Sequence, residues 1–448
     1  MSNELYCGAA RGIITPAETL IPDLRGLRDG SFGGVLDDLY VRVIAIGDGQ
    51  NQALLVAFDL DKAPYPAENL AKLSARTGIP PENIFFFSTH THTAPVTGYR
   101  PDEPPNDVRL KPAQVQQATA RYEQQVTTTL FAVVDQAMDS LRPARMGHAT
   151  GESYINVNRS QDYVIRAENG ELHTECFLGV NFAAPVDHTL FVLAFEDLAG
   201  QPIAFFINYP VHNCVMIGNA CRAGKIGLTG DLSGRVCRFV EETYPGSTAI
   251  WSSGAAGDIN PLIMNESFFP DPHTGRPVEC LLQGGLLPVL DLLAARHFAD
   301  VMQVIRKIQC TAVSAPVAGV IDWSYTPGRN VVPRPAGSPD ILIGDGVDPY
   351  EIRLHLLRLG ELALLGFSGE LYSSLGRRLQ EISPLEHTLL INHDASLLAR
   401  SGYIFDDETL ARDWSNRLPG HRSSRMLPGT VLASLEKHML EMFRKLGD

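Results

Sequence analysis

Residues 85–95 read FFFSTHTHTAP, and the rest of the chain is interpreted outward from this stretch. Three consecutive phenylalanines after the turn-forming pair Pro80–Pro81 predict a buried strand that ends in polar residues. Residues two apart point the same way in an extended chain, so we expect His90 and His92 to share one face. Two imidazoles at the end of a buried strand are typical of a metal site and would supply about half of its ligands. The alternative is one histidine hydrogen-bonded in the core and the other in solvent.

The composition indicates an ordinary globular protein. The chain has 448 residues, of which 44% are hydrophobic and 20% charged, which suits one large domain or two modest ones. A net charge of −14 argues against nucleic acid and anionic membrane surfaces as partners. We find no apolar run near the roughly 20 residues of a membrane span and no signal peptide. Seven scattered cysteines without a C-x-x-C pair favour reduced thiols and a cytoplasmic location.

Hydrophobic periodicity predicts a mixed α/β sheet. The predicted strands include residues 39–46, 53–59, 190–196 and 203–209, and the predicted helices are residues 67–77, 114–141, 285–307 and 429–446. Proline, glycine and polar residues predict an irregular excursion at 263–283. A similar composition at 325–349 is typical of a lid or an insertion, and composition leaves both open.

Other polar residues follow predicted strands in the same way as His90. His212 ends the sequence P-V-H after an apolar strand, and Arg159 lies in an asparagine-rich loop at 154–160. Asp258 lies in the turn-like sequence G-A-A-G-D, and Glu370 is predicted to open a helix. Each has a structural alternative: a core histidine, a solvated arginine, an aspartate that caps a turn, and a glutamate that complements a helix dipole.

The segment STHTHTAP resembles the T-H-T-H-S-x-P signature of the neutral (non-lysosomal) ceramidases, which are zinc-dependent amidases. Further segments resemble that family's motifs in the same order, from residue 8 to about residue 410. They are GAARGIITP (8–16), YINVNRS (154–160), PVH (210–212), TGDLSG (229–234), WSSGAAGDINP (251–261), GFSGELYSSLGRRL (366–379) and SGYI (401–404).

The chain departs from the family pattern at four places. Ile13 stands where the opening motif has aspartate, and Gly230 stands where the motif S-D-N-x-G has serine. No role of that serine is therefore carried over. The spacing before Tyr403 is longer than in the family, and the tyrosine-rich segment that follows in the family is missing here.

The resemblance implies a zinc site whose ligands are His90, His212, Glu370 and Tyr403. His92 beside them is the candidate general base or oxyanion stabiliser. Arg159, with Asn156 or Asn158, would hold a polar part of the substrate, and Asp258 matches the aspartate of a family loop. Two histidines and a carboxylate form a familiar catalytic zinc set, in which the ion lowers the pKa of bound water to roughly 7.

We therefore expect one large α/β domain over residues 1–448, with mixed β-sheets flanked by helices and no C-terminal β-sandwich domain. The expected activity is zinc-dependent hydrolysis of an N-acyl or other amide, small or polar, with lipid-like amides as the further option. Two alternatives keep the metal: hydrolysis of a lactone or ester, and metal-assisted isomerisation. A third is a non-catalytic metal-binding relative. The oligomeric state is not readable from the sequence.

Overall fold

The computed structural model describes residues 4–27, 30–98, 112–328, 330–332, 340–342, 349–395, 402–411 and 426–447. The helices within these ranges are α1 (Pro66–Thr77), α2 (Ala113–Asp139), α3 (Asp231–Thr243), α4 (Leu286–Ile305), α5 (Ser373–Glu381), α6 (Asp407–Ala411) and α7 (Val431–Leu446). Short 3₁₀ turns lie at Ile21–Asp23, Pro81–Asn83 and Gln283–Gly285.

The strands lie between and around these helices. The first twelve are β1 (Tyr6–Ile13), β2 (Phe32–Val35), β3 (Tyr40–Gly47), β4 (Gln52–Phe58), β5 (Ile84–Ser88), β6 (Arg142–Glu152), β7 (Asn156–Arg166), β8 (Leu172–Asn181), β9 (Thr189–Asp197), β10 (Pro202–Tyr209), β11 (Ile226–Leu228) and β12 (Thr248–Ser253). The others are β13 (Ile259–Pro261), β14 (Glu266–Pro270), β15 (Pro277–Leu281), β16 (Val317–Thr326), β17 (Asn330–Val332), β18 (Asp340–Leu342), β19 (Tyr350–Leu359), β20 (Leu362–Phe367), β21 (Glu370–Leu371), β22 (His387–Ile391) and β23 (Tyr403–Ile404).

Two mixed sheets form the centre of the molecule. The larger has eight strands in the order β12-β10-β9-β6-β1-β3-β4-β5, and the smaller has the order β16-β19-β20-β22. Three pairs in them are parallel: β4 with β5, β10 with β12, and β20 with β22. Parallel neighbours end at the same edge of a sheet, so these pairs present loops side by side.

The sheets and helices stack in four layers. Alternate residues of the large sheet, such as Val43 and Phe205, pack under α1–α4, while their neighbours Ile44 and Phe206 face the small sheet. The outer face of the small sheet packs against α5 and α7. The edge strand β5 is buried on both faces, which explains its run of phenylalanines.

The large sheet bends, which brings distant strands together. Strand β1 pairs with β6 only at Tyr6–Pro143 and Cys7–Arg142, so the two halves of the sheet meet at a corner. Strand β12, at one end of the strand order, lies against β3 and β4 near the other end. The carboxyl ends of β5 and β10 therefore approach each other although they belong to opposite halves.

The sequence-based expectation of mixed sheets flanked by helices is confirmed, and so are the four predicted helices to within a few residues. Three local predictions are wrong. Residues 263–283 contain the hairpin β14–β15, and the asparagine-rich segment is the start of β7. Glu370 lies in the two-residue strand β21, and the helix begins only at Ser373. Much of the segment 325–349 lies outside the described residues.

All seven cysteines lie in the described ranges and are free thiols. Among the described helices, none combines the length and the apolar character that crossing a bilayer requires. The single-domain prediction for residues 1–448 stays a prediction.

Candidate metal centre

Six ionisable side chains converge where strands of both sheets end. All are at most 9% exposed, and the loops that carry them follow β4, β5, β10, β20 and β22: they are Asp61, His90, His92, His212, Glu370 and His393. The three parallel pairs supply every one of these loops, because each pair directs its carboxyl ends to this edge.

The two histidines of the H-x-H motif meet, but not for the reason that the sequence predicts. Strand β5 ends at Ser88, and His90 has a left-handed backbone with φ of +59°. The turn, rather than the alternation of an extended strand, brings Nε2 of His92 to 3.1 Å from Nε2 of His90. On the far side of the His90 ring, Nδ1 lies 2.8 Å from Oδ1 of Asp61. That carboxylate orients the ring, as outer carboxylates do for metal-binding histidines.

His212 and Glu370 complete a group of inward-facing donor atoms. Nδ1 of His212 lies 3.1 Å from the carbonyl oxygen of Ile259, and Nε2 lies 2.9 Å from Oε2 of Glu370. The same oxygen is 3.7 Å from Nε2 of His90. A neutral imidazole carries one proton, so it cannot donate to both the Ile259 carbonyl and the Glu370 carboxylate. A cation between Nε2 and the carboxylate would remove this conflict.

Further nitrogens of the pocket have no partner. Nδ1 of His92 and Nδ1 of His393 are buried and make no hydrogen bond with any residue that the structure describes. One donor atom each from His90, His92 and His212 lie within 4.8 Å of one another, and the same holds for His90, Glu370 and His393. Buried polar atoms without partners are costly, so a cluster of them indicates a ligand.

The charges in the pocket also suit a cation. Burial would raise the pKa of Glu370, but the charge of His90 and the hydrogen bond with His212 hold that pKa well below its usual value. Burial chiefly, and the positive charge of Arg159, lower the pKa of His212 to about 4. Burial opposes the charged form of His90, yet Glu370 and Asp61 raise its pKa to about 9. The pocket thus offers an ionised carboxylate and the neutral imidazoles of His92 and His212, while His90 is charged and would release a proton on binding a cation.

These donors fit zinc. Imidazole nitrogens with one carboxylate oxygen are the usual ligands of a catalytic zinc ion. Both His90 and His212 have their outer nitrogen held by another group, as metal-binding histidines commonly do. Of the four ligands that the resemblance implies, the structure brings His90, His212 and Glu370 together.

Tyr403 lies next to this group without joining the cluster of nitrogen and carboxylate donors. Strand β23 pairs with β21, which places Tyr403 beside Glu370. The ring centroids of Tyr403 and His212 are 6.4 Å apart, and the guanidinium carbon of Arg159 lies 5.0 Å from the centroid of the tyrosine ring. The tyrosine as a zinc ligand stays a prediction.

Arg159 is held at the edge of the pocket. It is 7% exposed and donates through Nη2 to the carbonyl oxygen of Gly257 and through Nη1 to Oδ1 of Asn260 at 3.3 Å. Its buried Nε has no partner among the described residues. Burial alone would lower its pKa, but the neighbouring tyrosines and Glu370 raise it, so the guanidinium is charged. The predicted role of Arg159 toward a substrate stays a prediction.

The remaining predicted residues bind other parts of the protein. Asp258 accepts hydrogen bonds from Asn158 Nδ2 and from the backbone nitrogen and hydroxyl of Ser373, each at 2.8 Å. Asn156 donates to the carbonyl oxygen of Pro210 at 2.8 Å and so supports the loop that carries His212. These contacts fix the walls of the pocket, and the predicted roles of these residues toward substrate stay predictions.

Sequence reasoning missed Asp61 and His393. Each follows a predicted strand by one or two residues, which is the signal that singled out His212. Asp61 ends the acidic sequence Asp59-Leu60-Asp61 after one predicted strand, and His393 lies in the sequence Asn392-His393-Asp394 after another. Neither position belongs to a recognised motif.

The fold and the pocket together define a four-layered α/β protein with a buried cluster of histidines and carboxylates. Two solved structures that are similar to this fold are ceramidases. Neutral ceramidase from Pseudomonas aeruginosa matches with a TM-score of 0.69 and 15% identity, over 100% of this chain and 75% of that chain. A ceramidase complexed with C2 matches with a TM-score of 0.69 and 16% identity, over 99% of this chain and 75% of that one.

The predicted resemblance to neutral ceramidases is therefore confirmed at the level of the fold. No protein-family model and no curated protein matches the sequence.

Proposed function

We propose that this protein is a zinc-dependent amidohydrolase that cleaves an N-acyl amide. The observation that carries the proposal is the convergence of two histidine nitrogens on one carboxylate oxygen. Nε2 of His212 lies 2.9 Å from Oε2 of Glu370, and Nε2 of His90 lies 3.7 Å from the same oxygen. Supporting it, the fold is shared with ceramidases, and the donor set suits a catalytic zinc ion.

His90, His212 and Glu370 would hold the ion, with Tyr403 as the fourth ligand that the family resemblance implies. When bound, zinc supplies a Lewis acid that polarises the amide carbonyl and activates water near neutral pH. The outer contacts of His90 with Asp61 and of His212 with Ile259 fix the two rings, so little reorganisation is needed when the ion binds.

His92 is the proposed proton carrier. Burial and the adjacent charge of His90 hold the pKa of His92 well below its usual value, so its ring is neutral before the reaction begins. The reaction adds water across the amide: an oxygen–carbon bond forms, the carbon–nitrogen bond breaks, and the acid and the amine are released. His92 would take the proton from the water and return it to the departing nitrogen.

Arg159 would orient the substrate. Its free Nε–H and its full charge suit a carbonyl or hydroxyl oxygen next to the scissile bond. Because the guanidinium is anchored to Gly257 and Asn260, this donor is preorganised. We propose a small or polar N-acyl amide as the preferred substrate.

The experiment is product analysis by mass spectrometry on zinc-loaded protein, with N-acyl amides of graded chain length and polarity, ceramides included. We expect an amine to be released from the short or polar members, and we expect His212→Ala to abolish its release. His148→Ala, which alters a half-buried histidine outside the pocket, is the matched control. Preference for long-chain ceramide would overturn the substrate proposal. Release of an alcohol from esters without any amine from amides would overturn the amidase proposal.

A further inference from the structure

We propose that the pocket holds a second divalent metal ion, bound by His393 and sharing Glu370 with the first ion. The inference rests on the proposed metal centre but not on the reaction it performs. It starts from a side chain that none of the recognised motifs supplies. His393 is 2% exposed, and its buried Nδ1 makes no hydrogen bond with any described residue. A neutral imidazole buried in this way has lost its water without gaining a partner.

The ring of His393 is stacked on the ring of His90. Their centroids are 3.7 Å apart, and their planes are inclined by 20°. A metal ion lies close to the plane of the imidazole that binds it, and two stacked rings with nearly parallel planes share no such point near their nitrogens. The stack therefore suits two ions side by side.

Glu370 is placed to bridge two ions. Its contacts with His90 and His212 both use Oε2, so Oε1 is the carboxylate oxygen that these two contacts leave out. Donor atoms of His90, Glu370 and His393 lie within 4.8 Å of one another. Oε2 faces the first ion, so Oε1 and the nitrogen of His393 are left as donors for the second, with water completing its shell.

The backbone around His393 holds the ring in this place. The residue has a left-handed φ of +63°, which is costly for a histidine. Its neighbours keep it there: Ala395 donates to the carbonyl of Phe86 at 2.8 Å, and Asp394 accepts from the Phe86 nitrogen at 3.2 Å and from Arg353. The loop is thus clamped to β5, the strand that leads to His90, so the stacked pair is fixed from both sides.

The two ions should differ in affinity. Two ionised carboxylates, Glu370 and Asp61, lie in the pocket, and they balance the charge of one divalent ion. The second ion adds positive charge next to the first and to Arg159, and it has fewer protein donors. We therefore expect a tight first binding step and a weaker second one.

The test counts ions in the full chain. Metal-stripped protein is titrated with Zn²⁺ and with Co²⁺, and bound metal is measured by elemental analysis and by the cobalt spectrum. The background carries His438→Asn, because Asp322, His438 and Glu441 form a partly exposed group that could also take up metal. His393→Asn is the variant, since asparagine tolerates a left-handed backbone, and His148→Asn is the matched control.

We expect two equivalents per chain, a spectroscopic signature of two coupled Co²⁺ ions, and one equivalent in His393→Asn with the affinity of the first ion changed less than about threefold. His148→Asn should keep both. Saturation of the parent chain at one equivalent would overturn the second ion, even if the variant failed to fold. Two equivalents retained in His393→Asn would also overturn it. Binding of no ion at all would instead defeat the metal centre of the proposed function.

Discussion

Two buried groups of polar side chains in this protein each contain histidine, and they differ in whether every polar atom has a partner. In the first, which we call the His297 cluster, Nδ1 of His297 lies 2.9 Å from the hydroxyl oxygen of Ser153, and Nε2 accepts from Trp251 at 3.4 Å. The Ser153 hydroxyl donates to Asp300 at 2.9 Å. A single neutral tautomer of His297 satisfies all of these contacts.

The metal pocket cannot be satisfied in this way. His212 faces an acceptor at both nitrogens, and buried nitrogens of His92 and His393 face no described partner. Burial is similar in the two groups, with His297 at 0% exposure and His212 at 2%. Burial therefore does not separate a structural histidine from a binding one, whereas unsatisfied lone pairs do. The hydrogen bonds of the His297 cluster are complete, whereas the partnerless nitrogens of the pocket support the proposed metal site.

The largest expected effect is the loss of metal when a donor is removed from the pocket. His212→Ala should weaken zinc binding at least about 100-fold, because each ligand supplies a large share of the affinity. Amide hydrolysis should disappear with it, while the unfolding midpoint of the metal-free protein changes little. Elemental analysis after dialysis and a denaturant titration measure the two quantities. A variant that still binds zinc stoichiometrically would remove His212 from the ligand set.

The converse change should damage the fold and spare the metal. His297→Leu leaves the Trp251 N–H and the Ser153 hydroxyl without their partner, which should lower the free energy of unfolding by about 2–4 kcal/mol. Zinc bound per folded chain should stay at the parent value. Chemical unfolding and metal analysis of the same sample test this. A loss of zinc without a loss of stability would contradict the conclusion that the His297 cluster is structural and that the pocket alone binds metal.

Much of this comparison could be predicted from the sequence, and the rest could not for a physical reason. The apolar strands predicted the fold class, and the end of the phenylalanine strand led to His90, because strand ends and binding loops coincide in α/β sheets. The resemblance to neutral ceramidases led to His212 and Glu370. The H-x-H pair was correctly picked out, but its predicted extended geometry was wrong. The left-handed turn at His90 has no simple sequence signal.

Contacts between distant loops were beyond reach. His297 and His393 both looked like isolated histidines, and only the packed structure shows that His297 contacts a serine and a tryptophan and that His393 stacks on His90. Likewise the pairing of Asp61 with His90 depends on how β4 and β5 lie side by side. The local sequence pattern predicts where the strands end, and tertiary packing determines which strand ends come into contact.

A smaller effect is expected from the group that orients His90. Asp61→Asn keeps the shape of the side chain but removes its charge, so the ring of His90 loses its carboxylate partner at 2.8 Å. Changes of this kind typically weaken metal binding about 10- to 100-fold without removing a ligand. A competition titration with a chelator measures the change, and His212→Ala should exceed it. Unchanged affinity would show that the carboxylate contributes only to packing.

The smallest expected effect, and the sharpest for the comparison, is the pH dependence of stability that His297 contributes. Burial lowers its pKa to about 3 in the folded chain, against about 6.5 when unfolded. A lowered pKa means that the unfolded chain binds the proton more readily, so stability is complete above about pH 6.5 and falls as the pH drops toward 3. The slope of the unfolding free energy against pH from this one group is at most about 1.4 kcal/mol per pH unit.

The buried histidines of the pocket are the same in the parent chain and in His297→Leu. The difference in unfolding free energy between these two proteins therefore isolates the contribution of His297. Urea unfolding at pH 7, 6 and 5 should show the stability advantage of the parent shrinking as the pH falls, and a constant difference across that range would contradict a buried neutral His297.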